Sequence, residues 1–358
     1  MVIRLPLALF VLIAAANAGA DERIPIKVVV VAMYEIGAAR GDNPGELQFW
    51  VERLALETQM PFTLGETDLY LNDDGVLAFV TGTGIPNATA SVLALGLDQR
   101  FDFSKSYWLV AGIAGGDPED LSLGSAAWAK HVVDGDLAIE IDGREIPEDW
   151  PYGLFPFGTN KPVSRPEDLY PGWTLDSRPP AFSFSLNEQL VDWAYSLTKD
   201  LDLGDTPALR EFRQLYEGYP AAQRPPFVTI GDTMSSSTFW HGELLNNWAN
   251  DWMHVYAGTD AKFMTTNMEE SGTLTAFHRL AREGLIDIDR VLVLRTVSNF
   301  TMQPPGKTAV WSKTTPFPGG GRPALESAFT VGNTVVQALI TGWSQFEDHL
   351  PRVSETAE

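Results

Sequence analysis

The sequence predicts an α/β layered fold with a central mixed or parallel sheet, because strand-like and helix-like segments alternate along the chain. Six continuously apolar segments have the length of strands that are buried on both faces. They are Lys27–Tyr34, Val76–Thr81, Tyr107–Ile113, Ala127–Val133, Phe227–Ile230 and Val291–Val297. Five other stretches have the apolar spacing of helices: Ala88–Leu97, Leu186–Leu197, Glu243–Val255, Glu269–Arg282 and Ala324–Phe346. Buried strands that alternate with such helices indicate a sheet that helices cover.

Length and composition limit the classes of protein to which the chain can belong. It has 358 residues, 44% of them hydrophobic, which excludes intrinsic disorder. Its 25 Lys and Arg residues against 47 Asp and Glu give a formal net charge of −22 at pH 7. This balance lacks the basic surface that neutralises phosphates, so no nucleic-acid partner is expected. The absence of Cys excludes a disulfide framework and a thiolate nucleophile.

The first twenty residues have the pattern of a cleaved export signal. Arg4 precedes an apolar run from Leu5 to Ala16, and two small-x-small triplets that suit a leader peptidase lie at its end. An N-terminal membrane anchor is the alternative, but the apolar run is shorter than the roughly 20 residues that span a bilayer. The sequence therefore predicts that residues 1–20 are removed and that the protein is exported, to a periplasm or to the medium.

The rest of the chain is interpreted as a single domain, 21–350, with a long insertion and a flexible tail at 351–358. The insertion runs from about 142 to 226 and is rich in Pro, aromatic and acidic residues, with few strand signals. Its Trp, Tyr and Phe side chains favour burial. We therefore expect the insertion to be ordered and to pack on the sheet.

Five polar or glycine-rich segments follow apolar strands, which is where open α/β sheets bind ligands. They are Gly82–Ala88, Ala111–Gly116, Gly231–Met234, Thr266–Gly272 and Thr296–Thr301. Glycines let the backbone approach a ligand closely, and a helix N-terminus presents free N–H groups. Together the segments predict one pocket at one edge of the sheet, where carboxylate, amide and hydroxyl groups converge on a polyhydroxylated ligand.

Several of these segments also have a purely structural interpretation. Asn87 is a suitable N-cap for the helix that follows it. The small residues of Ala111–Gly116 would also permit tight packing between helix and sheet. Glu269 and Glu270 lie at the start of a predicted helix, where carboxylates complement the helix dipole. The order and placement of all five segments are more specific than any one of them.

In this order, the motifs resemble those of the nucleoside phosphorylase and methylthioadenosine nucleosidase superfamily. After residue 20 the sequence is still more similar to divergent relatives of that superfamily, the purine nucleoside permease family. The resemblance rests on Ala32–Glu35, on Asp42–Glu46 (DNPGE) and on the motifs GTGIPNA, AGIAGG, GDTMSSSTFWHG, NMEESG and VSNF. It implies a nucleoside phosphorylase-like three-layer fold, with a central mixed β-sheet flanked by helices, and a site for a purine nucleoside.

The resemblance also implies roles for individual residues. Met268 and Glu269 match the Met-Glu pair that holds the ribose, and a carboxylate can accept hydrogen bonds from two neighbouring hydroxyl groups. Met234 matches an aromatic residue that stacks on the base, a contact that its thioether or the rings of Phe239 and Trp240 would supply. The strand-end segments add six candidate contacts to the substrate: Gly84, Asn87, Gly112, Asp232, Asn267 and Ser298.

The sequence departs from the superfamily where catalysis would occur. Asn299 matches the residue that contacts purine N7, but nucleosidases have Asp there, and an amide can donate a hydrogen bond without delivering a proton. Glu35 is adjacent to the position of the nucleosidases' water-activating Glu, which aligns with Ile36. Asn299 and Glu35 are therefore the candidate catalytic residues. Val110 replaces an Arg of hexameric phosphorylases and Asn87 a Ser, so a dedicated phosphate site is not expected.

These observations leave more than one function open. The preferred function is an exported purine nucleoside-binding protein that assists uptake and delivers its ligand to a separate membrane carrier. The alternative is an exported enzyme that cleaves the N-glycosidic bond of purine nucleosides by hydrolysis or phosphorolysis, and the third is a structural protein with a relict pocket. The histidines have no metal-ligand spacing, so no metal and no cofactor are expected. The resemblance implies a homo-oligomer, although the insertion could block its contacts.

Overall fold

The structure is a computed structural model that describes residues 23–169 and 182–353. The predicted export signal and residues 354–358 of the predicted tail lie outside these ranges. The strands are β1 (Ile24–Pro25), β2 (Val28–Ala32), β3 (Thr58–Met60), β4 (Leu69–Leu71), β5 (Val76–Val80), β6 (Phe101–Asp102), β7 (Tyr107–Gly116), β8 (Ala126–Trp128), β9 (His131–Asp134), β10 (Ala138–Glu140), β11 (Leu154–Pro156), β12 (Ser183–Ser185), β13 (Val228–Ile230), β14 (Asp232–Ser235), β15 (Phe263–Asn267) and β16 (Val291–Phe300).

The α-helices of the same ranges lie between and after these strands. They are α1 (Gln48–Arg53), α2 (Ile85–Gly96), α3 (Glu188–Thr198), α4 (Pro207–Arg213), α5 (Glu243–Ala257), α6 (Glu270–Arg282), α7 (Ala309–Thr314), α8 (Arg322–Thr341) and α9 (Trp343–Phe346). Helix α8 packs on β7 and β16, helices α2 and α6 pack on each other, and α5 contacts β9, β14 and β15. Helices thus flank the sheet as predicted.

Within the described residues, twelve strands form one mixed sheet. Its main path runs β12-β9-β14-β15-β7-β2-β5-β4-β3, and β16 joins β7 to β8, which pairs in turn with β13. Strand β7 is parallel to β2 and β16 but antiparallel to β15. The predicted α/β class with a central mixed sheet is confirmed.

Strand β7 is longer than the sequence indicated, because it continues through the glycine motif to Gly116. Gly115 and Gly116 pair with Thr266 and Thr265 of β15. A Cβ on Gly116 would lie 2.6 Å from the Val297 side chain. The glycines therefore permit close contact between strands at the centre of the sheet.

The predicted strand Ala127–Val133 is divided between β8 and β9, whereas the predicted strand Phe227–Ile230 corresponds to β13 and is followed at once by β14. The Asp232 carboxylate fixes the start of β14, because it accepts N–H bonds from His131 at 2.7 Å and from Lys262 at 2.9 Å. The Gly231–Met234 segment, predicted to follow the end of a strand, is thus mostly a buried strand itself.

The described parts of the predicted insertion are ordered and pack on the sheet. Strand β12 extends the sheet by pairing with β9, and α3 packs against α8. Leu190 and Ala194 of α3 are fully buried in the main hydrophobic core. Helix α3 therefore contributes to the hydrophobic core.

Candidate ligand-binding site

A cavity of about 200 Å³ lies where β2, β7, β15 and β16 end. Four of the five strand-end segments predicted to converge contribute to its lining, through Thr83 after β5, Ile113 in β7, Met268 after β15 and Asn299 in β16 among others. The fifth, Gly231–Met234, contributes no lining residue, although Thr238, further along the chain, does. The end of β2 adds Met33 and Tyr34, and the segment after α7 adds Phe317.

Glu269 is a buried carboxylate at the N-cap of α6, where it lines the cavity. One of its oxygens accepts the Gly84 N–H at 3.2 Å, and the other accepts the Met268 N–H at 3.1 Å. Gly84 is the N-cap of α2 and has a φ of 91°, which favours glycine. Burial raises the pKa of Glu269, while Arg295 acts in the opposite direction. The site thus presents an oriented hydrogen-bond acceptor to a ligand.

Glu46 is a second buried carboxylate of the lining, and sequence reasoning assigned it no role. Its Oε2 accepts the Met33 N–H at 2.8 Å, and its Oε1 accepts the Ile113 N–H at 2.7 Å. Burial raises the pKa of Glu46 to about 7, although Arg295 and both N–H bonds oppose the shift. Its place in the DNPGE motif was the signal that could have identified it.

Arg295 lies inside β16 and is 1% exposed. Its Nη2 lies 3.7 Å from Glu269 Oε2 and also contacts the Glu270 carboxylate, while its Nη1 donates to the Ile113 carbonyl at 2.9 Å. A charged residue within an apolar strand was the available signal, because such a charge is rarely buried unless it is paired. We call Glu46, Glu269 and Arg295 the charged part of the lining.

Asn267, Ser298 and Asn299, which were predicted to contact substrate, all line the cavity. The Asn267 side-chain oxygen accepts the N–H groups of Glu269 and Glu270 at 3.1 Å each, so it caps α6. The Asn299 amide donates to the Phe300 carbonyl at 3.0 Å, which uses one of its two hydrogens. Asn299 therefore retains a hydrogen-bond donor for a ligand.

Six other predicted site residues do not line the cavity, and one of them, Gly84, instead donates its N–H to the Glu269 carboxylate. Glu35 accepts N–H bonds from the neighbouring loop and from the start of α1, at 2.9 Å from Leu47 and 2.6 Å from Gln48 among others. Asp232 holds the start of β14, as described above, and Met234 is fully buried in a separate hydrophobic cluster. Glu35 and Asp232 are turned away from the cavity because backbone N–H groups saturate their carboxylates. Met234 is turned away because its thioether lies inside a hydrophobic core.

The other two are Asn87 and Gly112. Helix α2 begins at Ile85, so Asn87 is not its N-cap; its amide donates to the Thr83 carbonyl at 2.8 Å and the residue is exposed. Gly112 lies behind the charged part: a Cβ there would be 2.5 Å from Glu46 Oε1 and 2.6 Å from Arg295 Nη1. Gly112 therefore makes room for these two side chains.

Three further residues of the lining are aromatic. They are Phe239, Trp240 and Phe317, which we call the aromatic part. The Lys313 ammonium lies 4.3 Å from the centre of the Phe239 ring and 5.7 Å from that of Phe317. Both distances are within the range of cation–π attraction. Phe239 and Trp240 were predicted from the sequence as rings that stack on the base. Phe317 was missed because it lies far along the chain.

Two kinds of feature are absent from the part of the chain that the structure describes. No group of three or more His, Cys, Asp or Glu side chains there could hold a metal ion. No helix among the described residues has both the length and the apolar character needed to cross a membrane.

The mixed sheet and its flanking helices define a fold similar to that of solved nucleosidases. The chain is similar to a 5′-methylthioadenosine/S-adenosylhomocysteine nucleosidase from Neisseria meningitidis, solved with methylthio-immucillin-A, at a TM-score of 0.50 and 16% identity over 87% of this chain and 99% of that one. It is similar to futalosine hydrolase of Helicobacter pylori at a TM-score of 0.51 and 14% identity over 88% and 98%. These identities establish the fold alone.

The amino-acid sequence shows the family to which the chain belongs. The pattern of the purine nucleoside permease (NUP) family matches residues 25–351, and the chain belongs to this family. A purine nucleoside permease of Candida albicans is 31% identical over 274 residues, which are 75% of this chain but only 65% of that protein, less than two thirds of its length. A probable purine nucleoside permease of Schizosaccharomyces pombe is 29% identical over 276 residues, 75% of this chain and 77% of that one. The resemblance inferred from the motifs is confirmed.

Proposed function

We propose that this protein binds purine nucleosides in the cavity described above and assists their uptake. The observation that carries the proposal is the Glu269 carboxylate, which is buried in the cavity and oriented by two backbone N–H groups. A fixed carboxylate of this kind suits the adjacent hydroxyl groups of a ribose, because each of its oxygens can accept a further hydrogen bond. Asn299 would donate to the base.

The part of the proposal that concerns uptake has separate support. Relatives in two yeasts carry the name purine nucleoside permease. The pattern of residues 1–20 favours export, so the protein would act outside the cytoplasmic membrane and deliver its ligand to a separate carrier. Fractionation of cells that produce the full chain tests this: we expect the mature protein in the exported fraction, and a variant that lacks residues 2–20 inside the cell.

The first test of the site is Glu269→Gln, which keeps the shape of the side chain and removes its charge. A charge-assisted hydrogen bond contributes roughly 1.5–3 kcal/mol, so the affinity for adenosine, inosine or guanosine should fall about 10- to 100-fold. Free bases, which lack the sugar, should lose much less. Isothermal titration calorimetry with each nucleoside and its free base measures both effects.

Glu283→Gln is the matched control, since this exposed residue is the C-cap at the other end of α6. It should leave every affinity unchanged. Unaltered nucleoside affinity in Glu269→Gln would contradict the ribose role and the proposal that depends on it.

A second candidate function is hydrolysis of the N-glycosidic bond, and one observation favours it. Glu46 lies in the cavity with a pKa of about 7, which suits a general base that removes a proton from water. Glu46 would take a proton from the water as its oxygen bonds to C1′ of the ribose, the bond from C1′ to the base nitrogen would break, and the leaving base would take up a proton from solvent. Asn299 cannot supply that proton.

Chromatography of nucleosides incubated with the mature protein separates these functions. Binding without release of free base supports the first proposal. Base release without phosphate would establish a hydrolase, and release only with phosphate would establish a phosphorylase.

A further inference from the structure

Three carboxylates around the cavity share one guanidinium group. Glu46, Glu269 and Glu270 are 6%, 5% and 0% exposed, and Arg295 is 1% exposed. Glu270 contacts the guanidinium directly, Glu269 lies 3.7 Å from it, and Glu46 attracts it across Gly112. With every acid ionised, this buried cluster would hold two more negative charges than positive ones. Such an excess is costly in a site that water leaves when a ligand enters.

The three acids differ in how their negative charges are balanced. Glu269 and Glu270 each form an ion pair with Arg295. Glu46 has no ion pair within 4.0 Å among the described residues, and its two backbone N–H bonds offset its burial only in part. Burial raises the pKa of Glu46 to about 7, so this carboxyl, which has no ion pair within residues 23–169 and 182–353, can hold a proton near neutral pH.

We propose that Glu46 binds the nucleoside as a neutral carboxylic acid, so that one proton enters the site with the ligand. This inference rests on the proposed function and adds a binding residue to it. A protonated Glu46 donates its O–H to an acceptor oxygen of the sugar, while the ionised Glu269 accepts from the sugar hydroxyls. The pair would therefore select a ligand that offers both kinds of group.

The other titratable groups that face Glu46 act on its proton in different directions, since Glu269 raises the pKa of Glu46 and Arg295 lowers it. Tyr34, at the end of β2, has a raised pKa because of burial and the nearby Glu46, Glu35 and Glu269, so it stays neutral. The pKa of Glu269, next to α6, is also raised by burial and lowered by Arg295. Burial lowers the pKa of Arg295 in β16, and Glu269 and Glu46 oppose that change.

The affinity for the nucleoside should depend on pH, because binding is linked to protonation of Glu46. A nucleoside that displaces water and accepts a hydrogen bond from the O–H of neutral Glu46 raises the pKa of Glu46 in the complex above its value in the free protein. Affinity is then constant well below pH 7 and falls as the pH rises through that value. The dissociation constant should increase about tenfold between pH 6 and pH 8.

The experiment uses calorimetry with the tightest-bound of adenosine, inosine and guanosine, none of which titrates between about pH 5.5 and pH 8. At pH 8, titrations in buffers with different ionisation heats count the protons taken up, and we expect close to one. In Glu46→Gln the amide stays neutral, so the affinity should be independent of pH over this range. Glu283→Gln should keep the wild-type profile.

The inference is overturned if the wild-type affinity does not change with pH, if it rises with pH, or if Glu46→Gln keeps the wild-type dependence. Should Glu46→Gln fail to fold, as judged by circular dichroism, the proton count on the wild type still decides. A protein that binds no purine nucleoside at any pH overturns the proposed function together with this inference. Binding without proton uptake overturns the inference alone.

Discussion

The charged part and the aromatic part of the cavity lining are built in different ways. Glu269 and Arg295 lie on regular elements, at the N-cap of α6 and inside β16, and Glu46 is tied to two backbone N–H groups. Phe239 is 46% exposed and Phe317 half-buried, and both lie in connecting segments. Regular elements fix the direction of hydrogen bonds, whereas a connecting segment can adjust a ring to the ligand.

This difference has a consequence for mutations. A change in the charged part disturbs buried charges and the strand ends that hold them, so it should alter both stability and binding. A change at Phe239 or Phe317 of the aromatic part should alter binding while the fold keeps its stability, whereas Trp240 is only 7% exposed and packs in a hydrophobic cluster. The following predictions test that contrast, beginning with the largest effect.

Replacing Arg295 with Met should have the largest effect on stability. The substitution leaves buried carboxylates without their shared partner, which lowers the free energy of unfolding by about 3–5 kcal/mol. Arg295 opposes the rise that burial causes in the pKa values of Glu46 and Glu269, so without it these acids ionise at a higher pH in the folded state and the loss should grow between pH 5.5 and pH 8. Urea unfolding at pH 5.5 and pH 8 measures both effects.

The matched control is Arg53→Met, because Arg53 and Glu326 form a solvent-accessible ion pair at 2.7 Å. Surface pairs contribute about 0–1 kcal/mol, so this variant should remain close to the wild type. Equal losses in the two variants, or a loss in Arg295→Met that shrinks at pH 8, would contradict the role of the buried cluster.

A smaller effect is expected from Gly112→Ala. The new methyl group would contact Met33 and lie 2.5 Å from Glu46 Oε1 and 2.6 Å from Arg295 Nη1. Overpacking of this kind costs about 1–3 kcal/mol, and the displaced carboxylate should also weaken nucleoside binding. Thermal unfolding and calorimetry would show both changes.

Gly143→Ala provides the comparison, since Gly143 is exposed and a Cβ there would have no neighbour within 4 Å. It should change neither property. If Gly112→Ala matched the wild type in both, Gly112 would not be needed to accommodate the charged part.

The sequence predicted those features of the site that depend on short stretches of chain. The sheet class, the convergence of strand-end segments and the cavity-lining positions of Met268, Glu269 and Asn299 all follow from local motifs. The purine nucleoside permease family could be inferred in the same way, because its motifs occur in a fixed order.

The features that were missed depend on tertiary packing. Glu35 and Glu46 lie on one loop, and the sequence alone could not show that the chain turns Glu35 onto backbone N–H groups and Glu46 into the cavity. Met234 was misplaced because β14 begins at Asp232, so the residue continues a buried strand. Phe317 is distant from Phe239 along the chain, and only the folded structure places both in the cavity lining.

The smallest effect is expected in the aromatic part, from Lys313→Met. The ammonium group lies near the Phe239 and Phe317 rings, and cation–π attraction at exposed sites contributes about 0.5–1 kcal/mol. Loss of this contact should loosen the two rings and weaken nucleoside binding about two- to fivefold, with no change in the unfolding temperature. Lys307→Met removes a similar contact, 5.0 Å from the Trp311 ring, which does not line the cavity, so it should leave binding unchanged. If both variants bind equally well, the rings do not depend on Lys313; if Lys313→Met unfolds at a lower temperature, the proposed separation of binding from stability in the aromatic part is wrong.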